Sequence, residues 1–227
     1  MEEPNLLPEL IRIADKTAES LRASLARFFP PLNEESGSFF HICSVLTEGA
    51  VENYRVLRGG LLSQDQTACA LRCRNLLEIS IFTQYVLLSK ENAQAFSEDR
   101  LIDGRQLAMS LKELELSLNP HLVESQFEGK ISEFTEKIHR EGVTRPSYTT
   151  TRTMARALQV EVEYNRINSL SSKLIHPTSW SLFTADQGNE RFTEACPLFF
   201  SQGAMYLATT HSTLVRHLKA HGLGYPK

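Results

Sequence analysis

Residues 76–88 constrain the fold more than any other segment, because they are apolar on nearly every side of a helix. They carry a dense run of large apolar side chains: Leu76, Leu77, Ile79, Ile81, Phe82, Tyr85, Val86, Leu87 and Leu88. A helix that is hydrophobic all round must be surrounded by partners. The sequence therefore predicts a central helix over about residues 64–88, with other helices packed around it.

The remaining segments supply those partners. Apolar residues recur at spacings of three and four, which is typical of amphipathic helices. The predicted helices span residues 6–29, 38–57, 92–118, 121–140, 153–175 and 191–220, and Gly59 and Gly60 are expected to stop the second. We predict an all-α fold, a single bundle of about six or seven helices. One domain is expected over residues 1–227, with an N-terminal helix within residues 1–33 and a long polar loop at 141–152.

Composition excludes several classes of protein. A formal net charge of -3 gives no global field that would attract the chain to a polyanion. There is no run of about 18 apolar residues, so no membrane span is predicted, and the acidic N-terminus lacks signal-peptide features, which favours the cytoplasm. In that reducing compartment the four cysteines, Cys43, Cys69, Cys73 and Cys196, are expected to be small buried hydrophobes. No ligand spacing favours a metal or another cofactor.

Two charges interrupt an apolar face of the predicted central helix. Arg74 and Glu78 lie one turn apart, on the face that also holds Leu71, either Ile81 or Phe82, and Tyr85. One interpretation is a buried or half-buried ion pair that fixes the register of the helix. The other is a polar functional site inside the bundle.

A second polar group ends the predicted helix 153–175. Asn165, Ser169, Ser172 and His176 recur at four, three and four residues, and Pro177 favours the end of the helix at His176. His176 could cap the helix, or it could act as an acid or base, since histidine changes charge near neutral pH. His211, between leucines of the last helix, is interpreted as a hydrogen-bonded core histidine. We further expect Arg74 and Glu78 to face His176 across the bundle.

The segment from Gly142 to Val160 has no acidic residue and holds three arginines, Arg145, Arg152 and Arg156, among hydroxyl side chains. Guanidinium and hydroxyl donors together could bind phosphate. An ordinary solvated loop has the same composition, so both interpretations stay open.

The two polar groups carry a resemblance to known proteins. The chain resembles uncharacterised bacterial all-helical proteins with R-x-x-x-E on a central helix, here Arg74 to Glu78, and S-x-x-x-H late in the chain, here Ser172 to His176. A more distant similarity is to the HEPN superfamily, many of whose members are metal-independent ribonucleases of toxin and antiviral systems. Those enzymes place an arginine a few residues before a histidine at a dimer interface, whereas Arg166 lies ten positions before His176.

Two functions follow from these features. The first is a non-catalytic binding or partner-interaction module built around the Arg74, Glu78 and His176 cluster, with a small ligand, a protein partner or a second copy bound to it. The alternative, which the HEPN resemblance implies, is RNA cleavage in a toxin or antiviral defence system. There His176 would be the acid or base, Arg74 or Arg166 would stabilise the phosphorane, and Glu78 and Ser172 would orient them.

Overall fold

The computed structural model describes residues 6–28, 39–119, 121, 124–176 and 194–220, and all regular structure within them is helical. The predicted all-α class is confirmed. The described residues form eight helices, slightly more than predicted: α1 Leu7–Phe28, α2 Phe39–Ser63, α3 Gln66–Val86, α4 Lys90–Leu118, α5 Glu128–Arg140, α6 Thr151–Ala157, α7 Glu161–Ile175 and α8 Ala195–Ala220. None of these helices is long and apolar enough to cross a membrane.

The helices divide into two compact units, a division that the sequence pattern did not indicate. The first unit contains α1, α2, α3, α6, α7 and α8, and the second, Ser89–Thr150, contains α4 and α5. In the first unit α3 packs against α2, α6, α7 and α8, and α1 packs on α2 and α8. The predicted central position of the 64–88 helix is therefore confirmed. A single domain over the whole chain stays a prediction.

The predicted stop of the second helix at Gly59 and Gly60 is wrong, because α2 continues to Ser63. Gly60 is buried where α2 meets α3, and a Cβ on it would lie 3.2 Å from both the Cβ of Ala68 and the Sγ of Cys69. The absence of a side chain at Gly60 thus serves close packing. The helix ends instead at Gln64, which has a φ of 57°.

The predicted helix 153–175 is two helices, α6 and α7, separated by a left-handed residue, Gln159, with a φ of 61°. The N–H of Gln159 donates to the carbonyl of Arg156, and the N–H of Val160 donates to the carbonyl of Ala155. This is the Schellman pattern of helix ends, which usually has glycine at the left-handed position. Glutamine gives no such sequence signal, so the break could not be predicted.

Other boundaries differ by less. The predicted helix 121–140 begins at Glu128, and the polar loop predicted at 141–152 ends where α6 begins, at Thr151. Three parts of these predictions lie outside the described residues: residues 29–33 of the N-terminal region, Pro177, and residues 191–193 at the start of the last predicted helix.

The core of the first unit is tightest where α8 approaches α2 and α3. At this point Gly203 is buried, and a Cβ on it would collide with Leu57 Cδ2 and lie 3.2 Å from Leu76 Cδ1 and 3.7 Å from Cys73 Cα. Leu57, Leu76 and Cys73 are all fully buried. The absence of a side chain at Gly203 therefore allows three helices to meet.

We expect Gly203→Ala to lower the free energy of unfolding by about 1–3 kcal/mol, because overpacking a dense core forces side chains and backbone to move. Gly59→Ala is the matched control, since Gly59 is a helical glycine whose added Cβ would meet nothing within 4 Å. That control should stabilise the protein by about 0.5–1 kcal/mol through helix propensity. Urea unfolding followed by circular dichroism measures both. Equal effects of the two substitutions would show that α8 does not approach α2 and α3 so closely.

Candidate functional site

Arg74 and Glu78 are brought together on α3. The Nε of Arg74 donates to Oε1 of Glu78 at 3.1 Å, and the two side chains are 28% and 24% exposed. Solvent-exposed ion pairs one turn apart stabilise a helix by only about 0.3–0.5 kcal/mol, and this pair is partly open to solvent. The pair therefore satisfies its own charges and does not require a further ligand.

The pair lies beside the N-terminal half of α7. Burial raises the pKa of Tyr164, and the carboxylate of Glu78 raises it further, while Arg74 and Arg152 oppose the shift. Tyr164 thus stays protonated next to the ion pair. The neighbour of Arg74 and Glu78 on α7 is Tyr164.

His176 lies at the other end of α7. It is the C-terminal cap residue, its N–H donates to the carbonyl of Ser172, and it is exposed. Thr67, at the start of α3, donates to the carbonyl of Leu174 at 3.4 Å, so α3 and α7 are antiparallel. Tyr164 and His176 are twelve residues apart, about 18 Å along the helix axis. Because Arg74 and Glu78 lie near Tyr164, this antiparallel register keeps them away from His176, although the sequence predicted that they would face it.

Ser172 shares the final turn of α7 with His176 and is half-buried. Its carbonyl accepts the N–H of His176 at 3.0 Å, so the link between these two residues runs through the backbone. Catalytic roles for Ser172 and His176 stay predictions.

Arg145, in the second unit, is held by carboxylates. Its Nε donates to Glu98 and its Nη1 to Asp99, while Nη2 donates to the carbonyl of Ala95. Burial raises the pKa of Asp99, although the Thr149 N–H and Arg145 oppose the shift. Burial alone would lower the pKa of Arg145, but its bonds to two carboxylates raise it overall. The charged form of Arg145 is stabilised because it has two carboxylate partners, Glu98 and Asp99. The charged form of Asp99 gains less, because Asp99 is buried and shares Arg145 with Glu98.

Arg152 and Arg156, in the first unit, both hold the carboxylate of Glu161. Arg152 Nε donates to Oε1 at 2.8 Å, and Arg156 donates to both carboxylate oxygens. Glu161 belongs to the first turn of α7, where a negative charge is favourable. Phosphate binding by Arg145, Arg152 and Arg156 stays a prediction, and phosphate would have to compete with these carboxylates.

The cysteines are confirmed as buried free thiols. Burial raises the pKa of Cys43 to about 12 and, with a contribution from the charge of Glu163, that of Cys73 to about 12. Neither is therefore a thiolate near neutral pH, and nucleophilic reactivity requires the thiolate. Within the described residues no three His, Cys, Asp or Glu side chains are grouped so that they could hold a metal ion.

His211 is half-buried on α8, and its Nε2 lies 2.9 Å from the hydroxyl of Ser20 on α1. Burial lowers its pKa, which favours the neutral ring. The hydrogen bond expected of His211 is confirmed, and the residue lies at the half-buried edge of the core.

A groove that sequence reasoning did not predict lies between α7 and α8. Both helices pack on α3, and between them they enclose a volume of about 480 Å³. Its apolar lining comes from both helices: Val162, Ile167, Leu170, Leu198 and Phe199. Val162 is 75% exposed, Leu170 45% and Leu198 56%, so three apolar side chains at this groove face solvent.

The polar lining of the groove contains one hydrogen-bonded carboxylate, Glu163, and one cation, Arg166. The hydroxyl of Tyr206 on α8 donates to Oε1 of Glu163 on α7 at 2.9 Å. Burial, followed by the bond to Glu163, raises the pKa of Tyr206, so it remains a donor. Arg166 also lines the groove and is exposed. Among the described residues no carboxylate forms an ion pair with Arg166.

The signal for the groove in the sequence is weak. Glu163, Arg166 and Leu170 follow one another at three and four residues on α7, a mixed stripe that no single amphipathic pattern describes. Tyr206 is separated from them by some forty positions, so only the folded chain brings it to Glu163.

The fold and the groove define an all-α helical protein with a candidate ligand site on its surface. The model of a family of unknown function (DUF5677) matches residues 46–191, more than half of the chain, so the protein belongs to that family. The matched region contains Arg74, Glu78, His176 and the α7 side of the groove, whereas α8 lies outside it. No curated protein and no solved structure matches the chain.

We expect Arg145→Ala to destabilise the second unit by about 2–3 kcal/mol, since it leaves the carboxylate of Asp99 buried without its cation. Adding Asp99→Asn should recover part of the loss, because the neutral amide needs no counter-charge. Lys130→Ala is the control, as its pair with Glu133 is exposed and should change stability by at most about 0.5 kcal/mol. Hydrogen exchange of the α4 amides measures the effect. Equal exchange in the Arg145 and Lys130 variants would contradict the structural role of Arg145.

A pH dependence follows from Glu161. Hydrogen bonds from Arg156 and then Arg152 lower the pKa of Glu161 to about 2. A carboxyl whose pKa is lower in the folded state adds stability above its unfolded pKa, and that stability is lost as the pH falls through the folded value. We therefore expect Glu161→Gln to lower the Tm at pH 7, with a difference from wild type that shrinks between about pH 5 and pH 2. The double variant Arg152→Gln/Arg156→Gln should show the same pH-dependent difference in Tm from wild type. A difference in Tm that does not vary with pH would contradict the role of the Glu161 carboxylate.

Proposed function

We propose that this protein is a non-catalytic binding module and that its ligand site is the groove between α7 and α8. The observation that supports this most directly is the exposure of Val162, Leu170 and Leu198 around a groove of about 480 Å³. Grooves and clefts of about 300–1,000 Å³ with an apolar lining and a few polar groups are the usual form of ligand sites. Exposed apolar residues grouped around one groove favour contact with a ligand, because binding would remove them from water.

The chemistry of the groove favours an amphipathic helix of a partner protein, carrying a carboxylate. Two helices that lie side by side on α3 form a trough into which a third can lay its apolar face. Arg166 supplies the positive charge that a carboxylate of the partner would pair with. The Glu163 carboxylate already accepts the Tyr206 hydroxyl, so it competes less for Arg166.

The groups available for chemistry near the groove favour binding over catalysis. The Cys73 thiol and the Tyr206 hydroxyl both have raised pKa values, so neither is an activated nucleophile. RNA cleavage by His176 would need a nearby arginine to stabilise the phosphorane. Arg166 precedes His176 on α7 by ten residues, about 15 Å along the axis, and Arg74 is occupied by Glu78.

Selection from a displayed library of amphipathic helical peptides, with randomised polar positions, tests this proposal. We expect the selected peptides to carry Asp or Glu at one recurrent position and to bind Leu170→Glu/Leu198→Glu at least about tenfold more weakly than wild type. Arg166→Glu should weaken the binding of the acidic peptides and strengthen the binding of versions that carry Lys at that position. Leu62→Glu is the matched control, because Leu62 is an exposed leucine of α2 and its substitution should leave binding unchanged.

Two results would overturn the proposal. Peptides that bind the Leu170→Glu/Leu198→Glu variant as well as wild type would place the site elsewhere. Cleavage of RNA in EDTA that is lost in His176→Ala, with the fold intact, would show instead that the protein is an enzyme.

A further inference from the structure

Two of the four buried thiols meet where α3 and α8 begin. Cys69 belongs to the first turn of α3 and Cys196 to the first turn of α8, and the two residues are only 0% and 1% exposed. The Cys69 thiol donates a hydrogen bond to the sulfur of Cys196. Two cysteines that are distant in the chain therefore lie side by side in the folded protein.

The packing of α3 against α8 supports this contact. Further along the same two helices, a Cβ on Gly203 would lie 3.7 Å from the Cα of Cys73. The two contacts together show that α3 and α8 run in the same direction. In addition, the charge of Asp65, the N-cap residue of α3, raises the pKa of both Cys69 and Cys196. This shared effect also places Cys196 beside the start of α3.

The surroundings hold the Cys69 side chain in place and make the two thiols unequal. The Sγ of Cys69 lies 4.0 Å from the carbonyl oxygen of Leu57, and a Cβ on Gly60 would lie 3.2 Å from the same sulfur. Burial raises the pKa of both thiols, but the hydrogen bond from Cys69 opposes that shift at Cys196. A donor stabilises the thiolate that accepts its bond. Cys196 is therefore the thiol of the pair that ionises first.

We propose that Cys69 and Cys196 form an oxidation site, at which a peroxide such as hydrogen peroxide converts the two thiols into a disulfide between α3 and α8. The Cys196 thiolate attacks one oxygen of the peroxide, which breaks the O–O bond, releases hydroxide and leaves a sulfenic acid on Cys196. The Cys69 sulfur then forms the S–S bond and displaces a second hydroxide. The two hydroxides take up the two thiol protons, so two thiols are oxidised while one peroxide is reduced to two water molecules.

The position of Cys196 gives the peroxide a path to the pair. Cys196 is the second residue of α8, and the ends of helices open more readily than their centres. Hydrogen peroxide is small enough to enter through such an opening. Cys43 offers a contrast, because burial alone raises its pKa and no neighbouring thiol contributes. A sulfenic acid on Cys43 would have no thiol beside it to complete a disulfide.

Oxidation of the full chain by hydrogen peroxide at about pH 8, where more of each thiol is ionised, provides the test. The remaining thiols are then alkylated in denaturant, and we expect two of the four cysteines to escape alkylation. Tryptic digestion without reductant should link the peptide of Cys69 to that of Cys196. Trypsin cuts after Arg72, so Cys69 and Cys73 fall in separate peptides. The disulfide should raise the Tm by at least about 5 °C, because it closes a long loop in the unfolded chain.

Cys43→Ala is the matched control. It removes another buried thiol and should leave both the link and the rise in Tm unchanged, whereas Cys196→Ala should abolish both. Circular dichroism checks that each variant keeps its helices. If Cys196→Ala fails to fold, the peptide map of the wild-type chain still decides the pairing, because it needs no substitution.

The inference fails on any of three outcomes. Four alkylated cysteines after oxidation, or thiols lost without a link, would show that the pair does not form a disulfide. A link that includes Cys43 or Cys73 would place the site elsewhere. A link that forms only in denaturant, or that lowers the Tm, would show that the native fold does not hold the two thiols in position. The inference does not rest on the function proposed for the groove, since peptide binding is measured on the reduced protein.

Discussion

The close approach of α8 to α2 and α3 at Gly203 is the contact on which the first unit depends. Leu57, Leu76 and Cys73 meet there with no space for one more methyl group, and Tyr54 and Phe200 pack nearby as a ring pair. Because α3 is apolar on so much of its surface, it must be covered on several sides at once. The helices α2, α6, α7 and α8 provide that cover.

The groove follows from the same constraint. α7 and α8 both cover α3, and the space between their outer surfaces remains open along Ile167 and Phe199. Some polar residues of the unit pair with each other, and others are available to a ligand. Arg74 and Glu78 neutralise each other beside Tyr164, whereas Arg166 presents its charge at the groove. Membership in a family of unknown function leaves the ligand to be inferred from this chemistry.

The second unit has a different balance of forces. Its hairpin is held by the ion pair of half-buried Arg145 with buried Asp99 and by the contact of Gly104 with Phe134, while several leucines of α4 stay exposed. In the first unit the helices bury apolar surface around α3, although Val162, Leu170 and Leu198 stay exposed at the groove. In the second unit α5 has no buried residue at all.

Helical periodicity is local, and for this reason the sequence alone determined the all-α class, the central position of α3, the burial of the cysteines and the one-turn pairing of Arg74 with Glu78. The end of α2 and the break between α6 and α7 escaped prediction because glutamines occupy the left-handed positions at Gln64 and Gln159. The tertiary structure decided which faces meet. The antiparallel register of α3 and α7 places Tyr164 beside the ion pair and His176 at the far end, and the docking of α8 brings Tyr206 to Glu163. Register and docking arise from the fit of side chains that are distant in sequence, which no local pattern records.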